Sequence, residues 1–148
     1  MNILVSACLL GVNCRYNGEG KLQEDLLKLQ EHHHLIPICP EQLGGLPTPR
    51  PASELLNQKV ITKTGIDVTE QFNVGALESL KLAKLYHCTY AILKERSPSC
   101  GFGQIYDGSF RGTLISGNGI TANLLAEHGI TLIGESKLSE FIKMMNVL

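Results

Sequence analysis

Three short apolar runs, each followed by a turn that contains a cysteine, constrain the fold of this chain most. The runs are residues 3–5, 35–38 and 90–93, and the turns after them contain Cys8, Cys39 and Cys100. Short apolar runs that stop at Gly, Pro and Ser are typical of buried parallel strands. The carboxyl ends of parallel strands lie at one edge of their sheet, where open α/β sheets bind ligands. The sequence therefore predicts that three thiols meet at that edge.

The remaining pattern predicts alternating strands and helices. Strands are expected at residues 1–7, 35–38, 89–94 and 130–133, and helices at about 21–31, 67–86, 117–129 and from Ser136, which caps the last one. Further expectations are an extended piece at 59–63, a hairpin at 104–113, and a loop without regular structure at 40–51, where four prolines occur. This order predicts a three-layer, Rossmann-like α/β fold with an open, mostly parallel sheet, in a single domain spanning residues 1–148.

Composition narrows the class of protein. Of the 148 residues, 43% are hydrophobic and 18% are charged, which is typical of a globular chain and not of a disordered or fibrous one. Thirteen basic and fourteen acidic residues create no overall field that would attract nucleic acid. We expect no membrane span, because no apolar stretch is long enough. Five cysteines, an odd number, do not suit a secreted disulfide framework and favour a reducing, cytoplasmic environment.

Three of the cysteines are candidates for a metal or cluster site assembled by the fold. Cys8, Cys39 and Cys100 lie 31 and 61 residues apart, so there is no local zinc-ribbon or ferredoxin spacing. Thiolates bind zinc and iron–sulfur clusters alike, and three protein ligands leave a coordination position open. Cys14 is a candidate fourth ligand that would close the site. Cys88 precedes a strand at the opposite edge and is interpreted as structural.

Side chains close to these cysteines are candidates for proton transfer and hydrogen bonding. Glu41 lies two residues after the second cysteine, in a loop held by proline and glycine, and a carboxylate near a metal can hold or deliver a proton. Ser97 and Ser99 precede the third cysteine and can hydrogen-bond a cluster sulfur or a substrate, or form a turn. Arg50, between two prolines, is a candidate contact for an anionic group of a substrate.

Several motifs together resemble one bacterial family over essentially the whole chain. The motifs are SACLLG (6–11), RYNG (15–18), CPE (39–41), GGLPTPR (44–50), GIDVT (65–69) and SPSCG (97–101). In this order they are similar to the thiouracil desulfidase family. The resemblance implies a 4Fe–4S cluster held by Cys8, Cys39 and Cys100, with one iron free of protein ligands. It also implies that Glu41 is the catalytic acid and base and that Ser97 is the assisting serine.

The same resemblance implies the reaction, which is removal of sulfur from a thiolated pyrimidine such as 2- or 4-thiouracil to give the carbonyl base and hydrosulfide. The open iron would act as a Lewis acid on the soft thiocarbonyl sulfur, and water deprotonated by Glu41 would add to the carbon. The reaction is hydrolytic in net outcome and needs no electron transfer. The balanced charge of the chain favours a small-molecule substrate over a thiolated tRNA.

Two other interpretations stay open at this level. A non-catalytic iron–sulfur module, acting as a sensor or a sulfur carrier, would hold the cluster without turning over thiolated bases. A zinc-binding module closed by Cys14 would hold one colourless metal ion through four thiolates. The absorption spectrum of the metal centre and a hydrosulfide assay separate these interpretations from the enzyme.

Overall fold

The computed structural model of the protein describes residues 1–147. Its strands are β1 (Asn2–Ser6), β2 (His34–Ile38), β3 (Ser53–Leu56), β4 (Lys59–Thr62), β5 (Tyr90–Leu93), β6 (Gln104–Tyr106), β7 (Leu114–Ser116) and β8 (Thr131–Gly134). Its helices are α1 (Glu24–Leu29), α2 (Pro40–Leu43), α3 (Thr69–Leu85), α4 (Ile120–Glu127) and α5 (Leu138–Val147). Within this part of the chain, no helix has both the length and the hydrophobicity that crossing a membrane requires.

Four strands form a parallel sheet in the order β2-β1-β5-β8. Strand β1 is internal, because Ile3 is in register with Leu35 of β2 on one side and with Tyr90 of β5 on the other. The chain passes from β2 across to β5, so the direction of winding reverses beside β1, and ligand sites form at such reversals. The predicted open, parallel α/β sheet is confirmed.

Helices cover both faces of this sheet, because its strands are apolar on both sides. On one face, Ile3 and Val5 share a hydrophobic cluster with residues of α1 and α5, including Leu26 and Phe141. On the other face, Leu4 shares a cluster with residues of α3 and α4. Successive side chains of a strand point to opposite faces, so β1 contributes to both cores. This arrangement of helix, sheet and helix agrees with the predicted three layers.

The stretch 40–51 is more regular than its prolines predicted. Pro40 opens the single-turn helix α2, because a proline at the first helical position loses no hydrogen bond that the helix would make. Strand β3 was also not predicted, and it pairs antiparallel with β4. Asn57 and Gln58 turn between these two strands with positive φ angles of 50° and 66°. A hairpin is present near the predicted range 104–113 as the pair β6 and β7, but its second strand begins only at Leu114, so the connecting loop is longer than predicted.

Two predicted helix starts are corrected. Helix α1 begins at Glu24 and not near residue 21, because the backbone N–H groups of Lys21 and Gln23 donate to carbonyls of the turn after β1. Ser136 does not cap the last helix. It lies in a 3-10 turn before α5, and its backbone N–H and hydroxyl donate to the carboxylate of Glu95 at 2.6 and 3.0 Å. A tertiary contact has replaced the local cap.

Helix α2 is fixed in place by close contact with α3 through two glycines. A Cβ at Gly75 would overlap the carbonyl of Pro40, and a Cβ at Gly44 would overlap the carbonyl of Gln71. Glycine inside a helix costs about 1 kcal/mol relative to alanine, so the close approach of the backbones explains Gly75 better than helix stability does. The side chains of α2 therefore start from a defined position at the sheet edge.

Candidate functional site

Three neighbouring strands carry three cysteines to one cavity. Cys39 directly follows β2, Cys8 lies in the 3-10 turn after β1, and Cys100 lies in a turn beyond β5. Because β2, β1 and β5 are adjacent and parallel, these turns lie at the same edge of the sheet. The three cysteines line a single cavity of about 450 Å³. The structure thus brings together the three cysteines that the sequence singled out.

The cavity has the size of a small-molecule site. Ligand pockets typically have volumes of about 300–1,000 Å³. Besides the cysteines, the walls include hydroxyl groups, charged groups and the aromatic rings of Tyr16, Tyr106 and Phe110. Such walls suit a flat, partly polar ring, because aromatic side chains can stack on it and polar groups can orient it.

The cysteines at this edge are free thiols that interact with one another. Within the described residues, all five cysteines of the chain are free. Cys14 is buried in the same cavity wall, and its backbone carbonyl accepts a hydrogen bond from the thiol of Cys39 at 3.7 Å. The neighbouring thiol of Cys14, together with burial, holds the pKa of Cys39 well above its usual range. Burial raises the pKa of Cys100 to about 12, so without a bound cation this thiol is protonated at neutral pH.

This donor set suits a soft metal centre. Thiolates bind zinc and iron–sulfur clusters, and a bound cation favours the deprotonated thiol that the buried site otherwise disfavours. Among residues 1–147, no three His, Cys, Asp or Glu side chains are arranged to hold a single metal ion. The cysteine ligands of an iron–sulfur cluster bind different irons, so their sulfurs need not converge on one point. The three thiols are therefore a donor set that an iron–sulfur cluster would accept.

Glu41 lies on α2, and both oxygens of its carboxylate are hydrogen-bonded. Arg50 donates from Nε to Oε1 at 3.0 Å, and the hydroxyl of Ser99 donates to Oε2 at 3.1 Å. The side chain of Arg50, predicted as a contact for a substrate anion, is only 4% exposed and is paired with Glu41, and the residue also lines the cavity. A buried guanidinium is stabilised by a carboxylate partner, so the proline-rich loop serves this ion pair.

The two serines before Cys100 make different contacts. The hydroxyl oxygen of Ser97 accepts the backbone N–H groups of Ser99 and Cys100, both at 3.1 Å, and so shapes the turn. Ser97 lines the cavity, but the serine that contacts Glu41 is Ser99, which also lies 3.7 Å from Cys100 Sγ. The sequence indicated Ser99 as a donor to sulfur and missed its contact with the carboxylate. The Ser-Pro-Ser spacing is the only signal for it.

Cys88 lies away from this cavity. It precedes β5 at the amino edge of the sheet, where it shares an apolar cluster with Leu80, Ala83 and Ile130. Burial raises the pKa of its thiol. A buried cysteine among apolar side chains behaves as a small hydrophobic residue, in agreement with the structural interpretation made from the sequence.

Comparison with known proteins bears on both the fold and the site. A sequence model of the 2-thiouracil desulfurase family matches residues 3–137. The chain is 42% identical over 150 residues to the Bacillus subtilis (strain 168) protein named "Uncharacterized protein YbbK", and the match covers 95% of this chain and 99% of that one. It is also similar to the solved structure of the 4Fe–4S-dependent thiouracil desulfidase TudS, with a TM-score of 0.89 and 42% identity over 99% of each chain. The chain therefore belongs to the 2-thiouracil desulfurase family.

Proposed function

We propose that this protein is a desulfidase that removes sulfur from a thiolated pyrimidine, using a 4Fe–4S cluster held by Cys8, Cys39 and Cys100. Membership of the 2-thiouracil desulfurase family supports the activity. Similarity to the 4Fe–4S-dependent TudS supports the cofactor. The proposed unit is a single domain spanning residues 1–148. The free cysteines support a reducing compartment such as the cytoplasm.

The main support for this proposal is the arrangement of residues around the cavity. The three thiols and the carboxylate of Glu41 line the same cavity, at the carboxyl ends of adjacent parallel strands. Iron–sulfur clusters of the 4Fe–4S type commonly have four cysteine ligands, so three ligands would leave one iron open. An open coordination position suits a site that binds substrate, and the carboxylate supplies the acid–base group that a hydrolytic reaction needs.

The residues of the chain supply the proton transfers of the proposed reaction. When bound, the cluster would supply a Lewis-acidic iron that polarises the thiocarbonyl group. Glu41 takes a proton from a water molecule, and the water oxygen adds to the thiocarbonyl carbon. Glu41 returns this proton to the sulfur and then accepts the remaining proton from the new C–OH group, as the carbonyl forms and the C–S bond breaks. Release of this second proton from Glu41 completes the cycle. One water and one thiolated base thus give one carbonyl base and hydrogen sulfide, which dissociates to hydrosulfide, with no transfer of electrons.

Ser97 assists this reaction through the turn that it holds. Its hydroxyl oxygen accepts two backbone N–H groups of the turn that carries Cys100, and its side chain lines the cavity. Backbone hydrogen bonds of this kind fix the direction in which the cysteine approaches a metal centre.

The cavity supports a small thiolated base as the substrate. Its volume of about 450 Å³ is within the range of small-molecule pockets. The rings of Tyr16, Tyr106 and Phe110 offer apolar faces to a planar pyrimidine. The near balance of basic and acidic residues gives no long-range attraction to tRNA. We therefore choose 2-thiouracil and 4-thiouracil as the first substrates to test.

The test is anaerobic reconstitution with iron and sulfide, followed by a hydrosulfide assay on each thiolated base. We expect a brown protein that releases hydrosulfide over many turnovers and forms uracil, which chromatography identifies. A protein loaded with the cluster that leaves both thiolated bases intact would contradict the proposal and favour a non-catalytic module. One colourless zinc ion per chain that is lost on Cys14→Ser would favour the zinc-binding interpretation.

A further inference from the structure

The guanidinium of Arg50 makes several hydrogen bonds besides the one to Glu41. Its Nη1 donates to the carbonyl of Pro47 at 3.1 Å and to Thr48 Oγ1 at 2.9 Å, and its Nη2 donates to the carbonyl of Cys14 at 2.9 Å. The backbone N–H of Arg50 donates to the carbonyl of Tyr16 at 2.8 Å. All three guanidinium nitrogens are therefore engaged, and the buried side chain has little freedom to follow a ligand.

Arg50 thereby connects two segments that carry cysteines. Its carbonyl partners at Cys14 and Tyr16 belong to the segment after β1, whereas Glu41 belongs to the helix that follows β2. The thiol of Cys39 also donates to the carbonyl of Cys14, at 3.7 Å. Removal of the guanidinium would leave a carboxylate oxygen and two backbone carbonyls, those of Pro47 and Cys14, without this donor, which is costly where the site is buried.

Ser99 holds the other oxygen of Glu41, and the number of available hydrogens decides the direction of its bonds. An ionised carboxylate only accepts, so the single hydroxyl hydrogen of Ser99 is donated to Oε2. The contact of 2.9 Å between the hydroxyl oxygens of Ser97 and Ser99 then uses the hydrogen of Ser97. Because Ser97 also accepts two backbone N–H groups, the serine pair is anchored to the turn that carries Cys100.

We propose that Arg50 and Ser99 are positioning residues for Glu41, a role that rests on the proposed function. The two donors come from different loops and bind different oxygens, so together they restrict both the direction and the rotation of the carboxylate. A carboxylate held through one oxygen can still rotate, and the side chain of Glu41 is 15% exposed. A displacement of about 1 Å can lower a rate about 100-fold.

The test compares Arg50→Gln and Ser99→Ala in the reconstituted protein, with 4-thiouracil as substrate. We expect each variant to lower kcat by about 10- to 100-fold while KM stays within about threefold, because the acid–base group is displaced and the other cavity walls are unchanged. Iron content and the absorption spectrum are expected to match the wild-type protein. Ser99→Thr keeps the hydroxyl and should retain most of the rate. Arg50→Lys keeps the charge without the planar fork and should retain only part of it.

The matched control is Glu135→Gln, which weakens another largely buried ion pair. Glu135 and Lys94 are 2.6 Å apart, and their side chains are 13% and 15% exposed. This variant is expected to leave kcat within about twofold of the wild-type value, since Glu135 contacts Lys94 and Glu95 of the cavity wall but makes no contact with Glu41 among the described residues. An equal loss of kcat in Glu135→Gln would show that loss of any buried ion pair lowers the rate, and it would overturn the positioning role.

A second readout, independent of turnover, is the urea midpoint of the metal-free full chain. If Arg50 and Glu41 act as a pair, the midpoint of the double variant Arg50→Gln, Glu41→Gln decreases by less than the sum of the decreases in the two single variants. The positioning role would be overturned if the decreases in midpoint of the two single variants simply add in the double variant. It would also be overturned if kcat is unchanged in both Arg50→Gln and Ser99→Ala. A cluster-loaded wild-type protein that releases no hydrosulfide would overturn the proposed function instead, while the midpoints would still report the pair.

Discussion

The two ends of strand β5 are close to two buried cysteines with different surroundings. Cys88 precedes the strand and is 7% exposed, and Cys100 follows it and is 4% exposed. Both belong to the same hydrophobic cluster on one face of the sheet. Cys88 has apolar neighbours such as Leu80 and Ala91, whereas Cys100 also borders the cavity and the hydroxyl of Ser99. Burial alone therefore does not separate a packing cysteine from a candidate ligand. What distinguishes Cys100 from Cys88 is that Cys100 borders an open cavity and has a polar neighbour, the hydroxyl of Ser99.

The difference follows from the way the chain enters and leaves the sheet. At the amino edge, α3 ends at Leu85 and β5 begins at Tyr90, so a short connection closes the packing around Cys88. At the carboxyl edge, the direction of winding reverses beside β1, and the loops on either side diverge and leave a cavity. The predictions below test this contrast between the two edges.

The largest expected effect is the loss of the metal centre at one edge only. Cys100→Ser is expected to abolish iron binding on reconstitution, and hydrosulfide release with it, because a serine hydroxyl is a poor ligand for iron. Cys88→Ser should retain the iron and the activity, with a loss of stability of about 1–3 kcal/mol from burying a hydroxyl without a partner. Iron analysis and urea unfolding measure the two outcomes. Iron retained by Cys100→Ser would remove the distinction between the edges.

The next effect concerns a carboxylate at each edge. Glu41→Gln is expected to lower kcat by about 10²- to 10⁴-fold while the cluster absorption stays unchanged, because the amide cannot take up a proton. The control is Glu127→Gln on α4, where the carboxylate accepts a bond from Asn123 on the protein surface. It should leave kcat unchanged. Full activity in Glu41→Gln would show that another group transfers the proton.

A smaller effect is expected where α2 contacts α3. Gly75→Ala places a methyl group against the carbonyl of Pro40, so α2 must move away and carry Glu41 with it. We expect a loss of about 1–3 kcal/mol in the free energy of unfolding and a decrease of about tenfold in kcat. Ala83→Gly, on the same helix, is a control that lowers stability by about 1 kcal/mol or more without moving α2. Normal kcat in Gly75→Ala would mean that α2 tolerates the shift.

The last comparison concerns the contribution of one thiol to the pH dependence of the stability of the metal-free protein, which is at most about 1.4 kcal/mol for each pH unit. The pKa of Cys100 is about 12 in the folded protein, against an ordinary value of 9.0. Between these values the unfolded chain has lost this proton and the folded chain keeps it, so stability present below pH 9 is lost as the pH rises. This dependence is measured by urea unfolding of the wild-type protein and of Cys100→Ser between pH 9 and pH 12. If the free energy of unfolding changes with pH equally in both proteins, the raised pKa of Cys100 is contradicted.

The local sequence pattern predicted the strands of the parallel sheet, but it missed one strand outside that sheet and placed a helix cap wrongly. Strands β1, β2 and β5 were predicted because their apolar runs end at clear turn residues. Strand β3 was missed because its sequence, SELL, becomes a strand through pairing with β4. The cap predicted at Ser136 was wrong because Glu95, 41 residues away, accepts both of its hydrogens. The first error comes from pairing with a strand close by in the sequence, and the second comes from a contact 41 residues away.

The sequence by itself determined where the strands of the sheet lie and that a cysteine follows three of them. It could do so because apolar runs, and the Gly, Pro and Ser residues that end them, act over a few positions of the chain. It predicted burial correctly for β1 and β5 and wrongly for β2, which is an edge strand in which only Ile38 is buried. Only the tertiary structure decided that these strands are neighbours and that Arg50 and Ser99 both reach Glu41. The two contacts join residues 9 and 58 positions apart. Their partners are selected by the packing of whole loops and helices, which no single stretch of sequence contains.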